Sequence, residues 1–176
     1  WLPFAIRTGL AASFEEFAIQ QALETAASRS FDLSLPLSEQ ALCDGTVLAR
    51  LVDLLGSSPS AATRLIIEVP EALVHRDPYF GTDLAHALRR SGTRLALFNA
   101  GSYVSRMRNL PDLQLHHLRT TAALAAGSSG AQRAYLAGVV SMCRGLGIQV
   151  VLDTTDTAID LRGTDADAVV DISYEE

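Results

Sequence analysis

Eight positions at the carboxyl ends of short apolar runs decide what chemistry this chain could perform: Pro36, Glu68, Phe98, Asn99, Arg119, Thr121, Asp153 and Val170. In an α/β protein such ends form the ledge where ligands gather. A catalytic pair of Mg²⁺ or Mn²⁺ ions would need several carboxylates converging there, to offset phosphate charge and lower the pKa of a bridging water. Glu68 and Asp153, weakly helped by Asn99, fall short of that set. Their ordinary role would be to cap loops or to accept N–H bonds at helix starts.

Other candidates carry less. His116 and His117 are adjacent on a predicted strand, so their side chains should point to opposite faces and cannot share a metal. Cys43 and Cys143 lie far apart on helix-like stretches with no CxxC, which predicts buried thiols in a reducing compartment. Asp153-Thr154-Thr155-Asp156 suggests a phospho-acceptor, yet a receiver domain needs a Lys, and all 14 basic residues here are Arg. The same absence removes Schiff bases, lysine bases and a P-loop. A net charge of −6 supplies no basic field for a nucleic-acid polymer. No apolar run approaches the ~18 residues of a membrane span, and Trp1-Leu2-Pro3 does not open a signal peptide. The expected location is cytoplasmic.

The elements that would position those residues follow from periodicity. Ser13 and Glu16 form a capping box for a helix running to about Arg29, with Phe14, Phe17, Ala18, Ala22 and Leu23 as its apolar stripe. Phe31 to Leu37 reads as a strand, with Pro36 at its end where a ladder N–H can be spared. Ser38 starts a helix that Gly56 stops. Arg64 to Pro70 is a strand, and Asp77-Pro78 opens a helix ending near Gly92. Thr93 to Phe98 is a strand, followed by a poorly periodic segment with Gly101 and Pro111. Leu115 to Thr121, Ile148 to Asp153 and Asp167 to Ile172 complete six strands. A GSSG loop at 127–130, a helix ended by Gly147 and a short helix at 157–162 separate the later ones. Such alternation implies parallel β/α units in one domain spanning residues 1–176. Periodicity alone leaves an open doubly wound sheet and a (β/α)8 barrel both available.

The order of motifs narrows this. The opening WLPFAIRTGLAASFEEFAIQQALETA resembles the segment after the signature strand of EAL domains, the bacterial cyclic-di-GMP phosphodiesterases. LSLPLS then resembles the family's SVNLS, RLIIEVPEAL its LILEITESAL, and GTRLALFNAG its GVRLALDDFG. HHLRTT is similar to DYLKID, GIQVVLDTTDT to LRVVAEGVET, and DADAVV to CDYVQG. The resemblance implies a TIM-barrel-like (β/α)8 EAL fold, incomplete at its N-terminus, with about six β/α units in a fragment of a larger signalling protein. A gap of that kind would be closed by a partner chain, a second copy or upstream residues.

Taken residue by residue, the resemblance implies a vestigial site. The Glu-Ala-Leu strand would lie before Trp1. Pro36 stands for a metal-binding Asn, Glu68 retains a ligand Glu, and Phe98 and Asn99 replace paired aspartates. Arg119 takes the place of the catalytic Lys and Thr121 of its Asp, while Asp153 shortens a Glu and Val170 replaces a Gln. The expected outcome is no catalytic residue, no metal site, loss of the family's Mg or Mn pair, and no hydrolase activity. The chain would then be a regulatory or protein-interaction module, with a protein partner or self-association. A non-hydrolysing cyclic-di-GMP receptor using Glu68, Phe98 and Arg119 is the alternative, and a residual metal-dependent phosphodiesterase the third reading.

Overall fold

The computed structural model describes residues 11–121, 130–153 and 168–170. Six parallel strands make one sheet: β1 (Leu33–Pro36), β2 (Leu65–Pro70), β3 (Arg94–Ala100), β4 (His117–Thr121), β5 (Gln149–Asp153) and β6 (Ala168–Val170). They lie in the sheet in their order along the chain. A doubly wound sheet reverses its order at a switch point, and none occurs among the described residues. The progression is that of a barrel built by repeated β/α units.

Parallel pairing puts partner residues on a common face, and the two faces have different jobs. Leu65, Ile67, Val69, Leu95, Leu97, Leu118, Val150 and Leu152 form one face, buried in the main core. The helices cover it with matching stripes. In α1 (Ala11–Ser28) the buried residues are Ile19, Ala22, Leu23 and Ala26, joined by Glu15. α2 (Glu39–Cys43), α3 (Gly45–Ser57) and α4 (Pro59–Ala62) follow β1; α5 (Glu71–Arg76) and α6 (Pro78–Arg90) follow β2. After β3 come a 3₁₀ turn (Val104–Arg106) and α7 (Leu110–Leu113); α8 (Gly130–Gly145) precedes β5.

Several local expectations are corrected. α1 already runs from Ala11, so Ser13 lies inside it rather than at its cap. Phe14 and Phe17 are 47% and 59% exposed. They fall off the stripe because each residue turns the helix by about 100°, which sets Phe17 about 200° from Ile19. The single helix expected after Ser38 is split: Ser38 caps α2, and Asp44 then caps α3 by accepting from the N–H groups of Thr46 and Val47. α5 and α7 are too short for periodicity to reveal. Asp77 does cap α6, accepting from Phe80 N–H at 3.0 Å with Pro78 in the first turn. Gly92 and Gly147 follow α6 and α8 with φ of 77° and 73°, the left-handed conformation that ends a helix with little strain in glycine. The predicted helix at 157–162, residues 127–129 of the loop and Asp171 lie outside the described residues.

Candidate functional site

The register gathers the predicted positions at the carboxyl end of the sheet. Pro36 pairs with Glu68, Pro70 with Phe98, Thr121 with Asp153, and Asp153 with Val170. The side chains of Thr121, Asp153 and Val170 lie outside the described residues; their backbones form the last rungs of β4, β5 and β6. On the face opposite the helix-covered core, Pro36 is exposed, Phe98 is half-buried and Glu68 is only 2% exposed.

Asn99 does not join this group. Between the pairs Leu97–Leu118 and Ala100–Thr120, β3 spends one residue more than β4, a bulge, and Asn99 takes φ of 50° there. Asn enters the left-handed region more readily than most residues. The bulge leaves Asn99 exposed while Ala100 returns to the buried face.

Glu68 is held by two side chains of β4. His117 Nε2 donates to its Oε1 at 2.8 Å. Arg119 donates to Oε2 from Nε at 3.0 Å and from Nη2 at 2.5 Å. The Arg119 guanidinium also lies 5.5 Å from the centroid of the Phe98 ring, a cation–π contact. Burial raises the Glu68 pKa, but the hydrogen bonds from His117 and Arg119 outweigh it and hold the carboxyl below its ordinary value.

The network continues along β3 and β4. Arg94 pairs with Asp32 and contacts His116 Nε2 at 3.2 Å, and His116 Nδ1 lies 3.1 Å from His117 Nδ1. An arginine can only donate, so His116 Nε2 accepts, and its proton sits on Nδ1. That proton points to His117 Nδ1, and His117 Nε2 faces Glu68 Oε1. Arg94, the two rings and Glu68 thus form one connected chain of hydrogen bonds. The expectation that the two rings would face apart is corrected: β4 begins only at His117, and His116 sits in a preceding bend with the ring planes 80° apart.

A family model for the EAL domain matches residues 1–163. The chain belongs to the EAL family. No curated protein matches it. An EAL domain protein of Listeria monocytogenes is 16% identical with a TM-score of 0.79, over 96% of this chain and 70% of that one. A Vibrio cholerae LapD S helix-GGDEF-EAL structure bound to c-di-GMP is 14% identical with a TM-score of 0.78, over 87% of this chain. The chain spans 38% of that LapD structure. The Klebsiella pneumoniae BlrP1 manganese/cy-diGMP complex is 25% identical with a TM-score of 0.67, over 86% of this chain and 39% of that one. The likenesses show an α/β fold of the TIM-barrel-like EAL type.

Two residues of this EAL domain stand at the site without having been assigned to it from sequence. His117 could have been found by parity, since it lies two residues before Arg119 on one strand face. Glu71, at the start of α5, is 1% exposed. Its Oε1 accepts from the N–H groups of Gly101, Tyr103 and Val104 at 3.0, 3.0 and 2.6 Å, and its Oε2 from Ser102 at 3.0 Å. From the other side, Tyr135 Oη donates to Gly101 O at 2.7 Å. The EAL loop after β3 is therefore tied to both α5 and α8.

A pH dependence follows from His116. Its burial, then the charges of Arg94 and His117, push its pKa below the ordinary histidine value, with Asp32 opposing. A histidine whose folded pKa is lowered contributes stability that is full above its unfolded pKa and lost as pH falls through that value. The melting temperature should therefore fall from about pH 7.5 to about pH 5.5. His116→Asn should make that slope shallower; an unchanged slope would place the titration elsewhere.

Proposed function

We propose that this chain is a catalytically inactive EAL-like domain acting as a regulatory or protein-interaction module in cytoplasmic cyclic-di-GMP signalling. The engagement of Glu68 carries the reading. His117 occupies one of its oxygens and Arg119 the other. A divalent ion would have to displace both and sit beside a guanidinium that cannot lose its charge. Pro36 and Phe98 offer no ligand atom, and Asn99 is turned out on the bulge. Among the described residues, no group of three His, Cys, Asp or Glu could hold a metal ion. These residues do not fit the Mg or Mn pair that the family resemblance implies. Without converging cations, the barrier to phosphodiester hydrolysis loses its principal electrostatic reduction.

A second reading has one observation in its favour. Phe98 under Arg119 offers an aromatic face and a cation where a nucleotide base and phosphate could lie, and a Xanthomonas citri FimX EAL domain is in complex with c-diGMP. In this reading the chain is a receptor that binds cyclic-di-GMP without cleaving it.

Calorimetric titration with cyclic-di-GMP, with and without Mg²⁺ or Mn²⁺, and chromatography of the mixture separate these functions. The module gives no heat and no linear dinucleotide. Saturable heat without product replaces it with the receptor. Linear product overturns both.

A further inference from the structure

A cavity of about 240 Å³ lies between the α5–α6 corner and the loop that follows β3, and shares no lining residue with the Glu68 cluster. His75, Arg106, Arg108 and Asn109 line it, together with the buried Val74 and Met107. No lining residue is acidic. Among the described residues, the side chains of Arg106 and Arg108 have no hydrogen-bonding or ionic partner. Two arginines thus line one cavity with no acidic residue in its wall, although the chain has 20 acidic residues.

The walls are fixed in advance. Glu71 and Tyr135 tie down the start of the loop. Asn109 Nδ2 donates to Pro78 O at 3.3 Å, and the Tyr103 ring stacks on His75 with centroids 4.4 Å apart. A site that needs no ordering on binding keeps more of its contact energy. Exposed tyrosines adjoin it in the chain: Tyr103 before Arg106, and Tyr79, 85% exposed, after Pro78. Tyr and Arg are the residues that concentrate at protein interfaces.

A phosphate would be expected to use free N–H groups at a helix start. The helix start at this cavity offers few: Pro78 has no N–H, and the Asp77 carboxylate already takes that of Phe80. A lining that combines two arginines with the apolar Val74 and Met107 suits a segment carrying carboxylates and an apolar side chain better than one compact anion.

We infer that this cavity docks an acidic peptide segment of a partner protein, with carboxylates on Arg106 and Arg108 and an apolar side chain against Val74 and Met107. The inference rests on the reading of the chain as an interaction module and names the chemistry of its partner.

The test is fluorescence anisotropy with a fluorescein-labelled decapeptide alternating glutamate and leucine. Wild type binds it saturably and more weakly as salt rises. The double variant Arg106→Glu, Arg108→Glu loses at least about tenfold in affinity, as does Arg106→Gln, Arg108→Gln, which keeps the assay decisive if charge reversal impairs folding. Arg133→Glu, at an exposed arginine of α8, binds like wild type. Failure of the wild type to bind, equal binding by the cavity variants, or displacement of the peptide by equimolar inorganic phosphate overturns the inference. Hydrolysis of cyclic-di-GMP by the wild type would overturn the functional reading and leave the peptide result standing.

Discussion

Arg119→Met lowers the free energy of unfolding by about 3 kcal/mol, the cost of leaving a buried carboxylate without its charged partner. Glu68 is nearly inaccessible, with 3% of its side chain exposed against 18% for Arg119, so water can replace little of the guanidinium. His117 remains, but it faces Oε1 and leaves Oε2 without the guanidinium. Arg119→Lys keeps a cation yet loses the fork that places two N–H groups on Oε2, and should cost about 1 kcal/mol. The decisive variant is the double replacement Glu68→Leu, Arg119→Met. Apolar side chains of similar volume remove both desolvation costs, so most of the lost stability returns. Urea unfolding at neutral pH measures all three. The effect has a direction in pH as well. Because the folded pKa of Glu68 is lowered, its stabilisation is present above the ordinary carboxylate value and is lost as pH falls through the lowered one. Wild type and Arg119→Met should therefore converge in acid. A full loss in the double variant would show that the pair, rather than the orphaned charge, supplies the stability.

The strands were legible because they are apolar runs punctuated by Gly, Pro and caps, and each observed boundary lies within two residues of its expected place. What periodicity could not supply was context. Phe14 and Phe17 look like core residues by type, but Ile19, Ala22 and Ala26 set the buried stripe of α1, and the two phenylalanines fall off it. The Asp44 break between α2 and α3 has a local cause, an aspartate able to cap the helix that follows it, yet the apolar spacing runs through it. At the site, the sequence placed Pro36, Glu68, Phe98 and Arg119 at strand ends, since position along a strand is a one-dimensional property. Their pairing is not. Which donor reaches Glu68 depends on the register of β2, β3 and β4, and the outward turn of Asn99 depends on a bulge that a composition of Phe, Asn, Ala and Gly only permits.

Glu71→Ala should cost about 3–4 kcal/mol and loosen the loop after β3, although Glu71 touches neither Glu68 nor Arg119. Four consecutive N–H groups, from Gly101 to Val104, converge on its two oxygens, and the N–H groups of Gly101 and Val104 are buried. Truncation to Ala strands those donors away from water, where each unsatisfied group costs about 1–3 kcal/mol. The sum stays below four such penalties because Ser102 and Tyr103 are partly exposed and water can reach their amides. Glu71→Gln is the informative intermediate. It keeps an acceptor for the three donors on Oε1 but turns an amide toward Ser102 N–H, so about 1–2 kcal/mol should be lost. Amide hydrogen exchange reads the effect locally, with protection falling at residues 101–104 while β2 and β5 keep theirs. Since the same loop carries Arg106 and Arg108, the acidic decapeptide should also bind Glu71→Ala more weakly, through the cost of ordering its site rather than through any lost contact. Unchanged exchange at residues 101–104 would mean that Tyr135 alone holds the loop and that the carboxylate is dispensable.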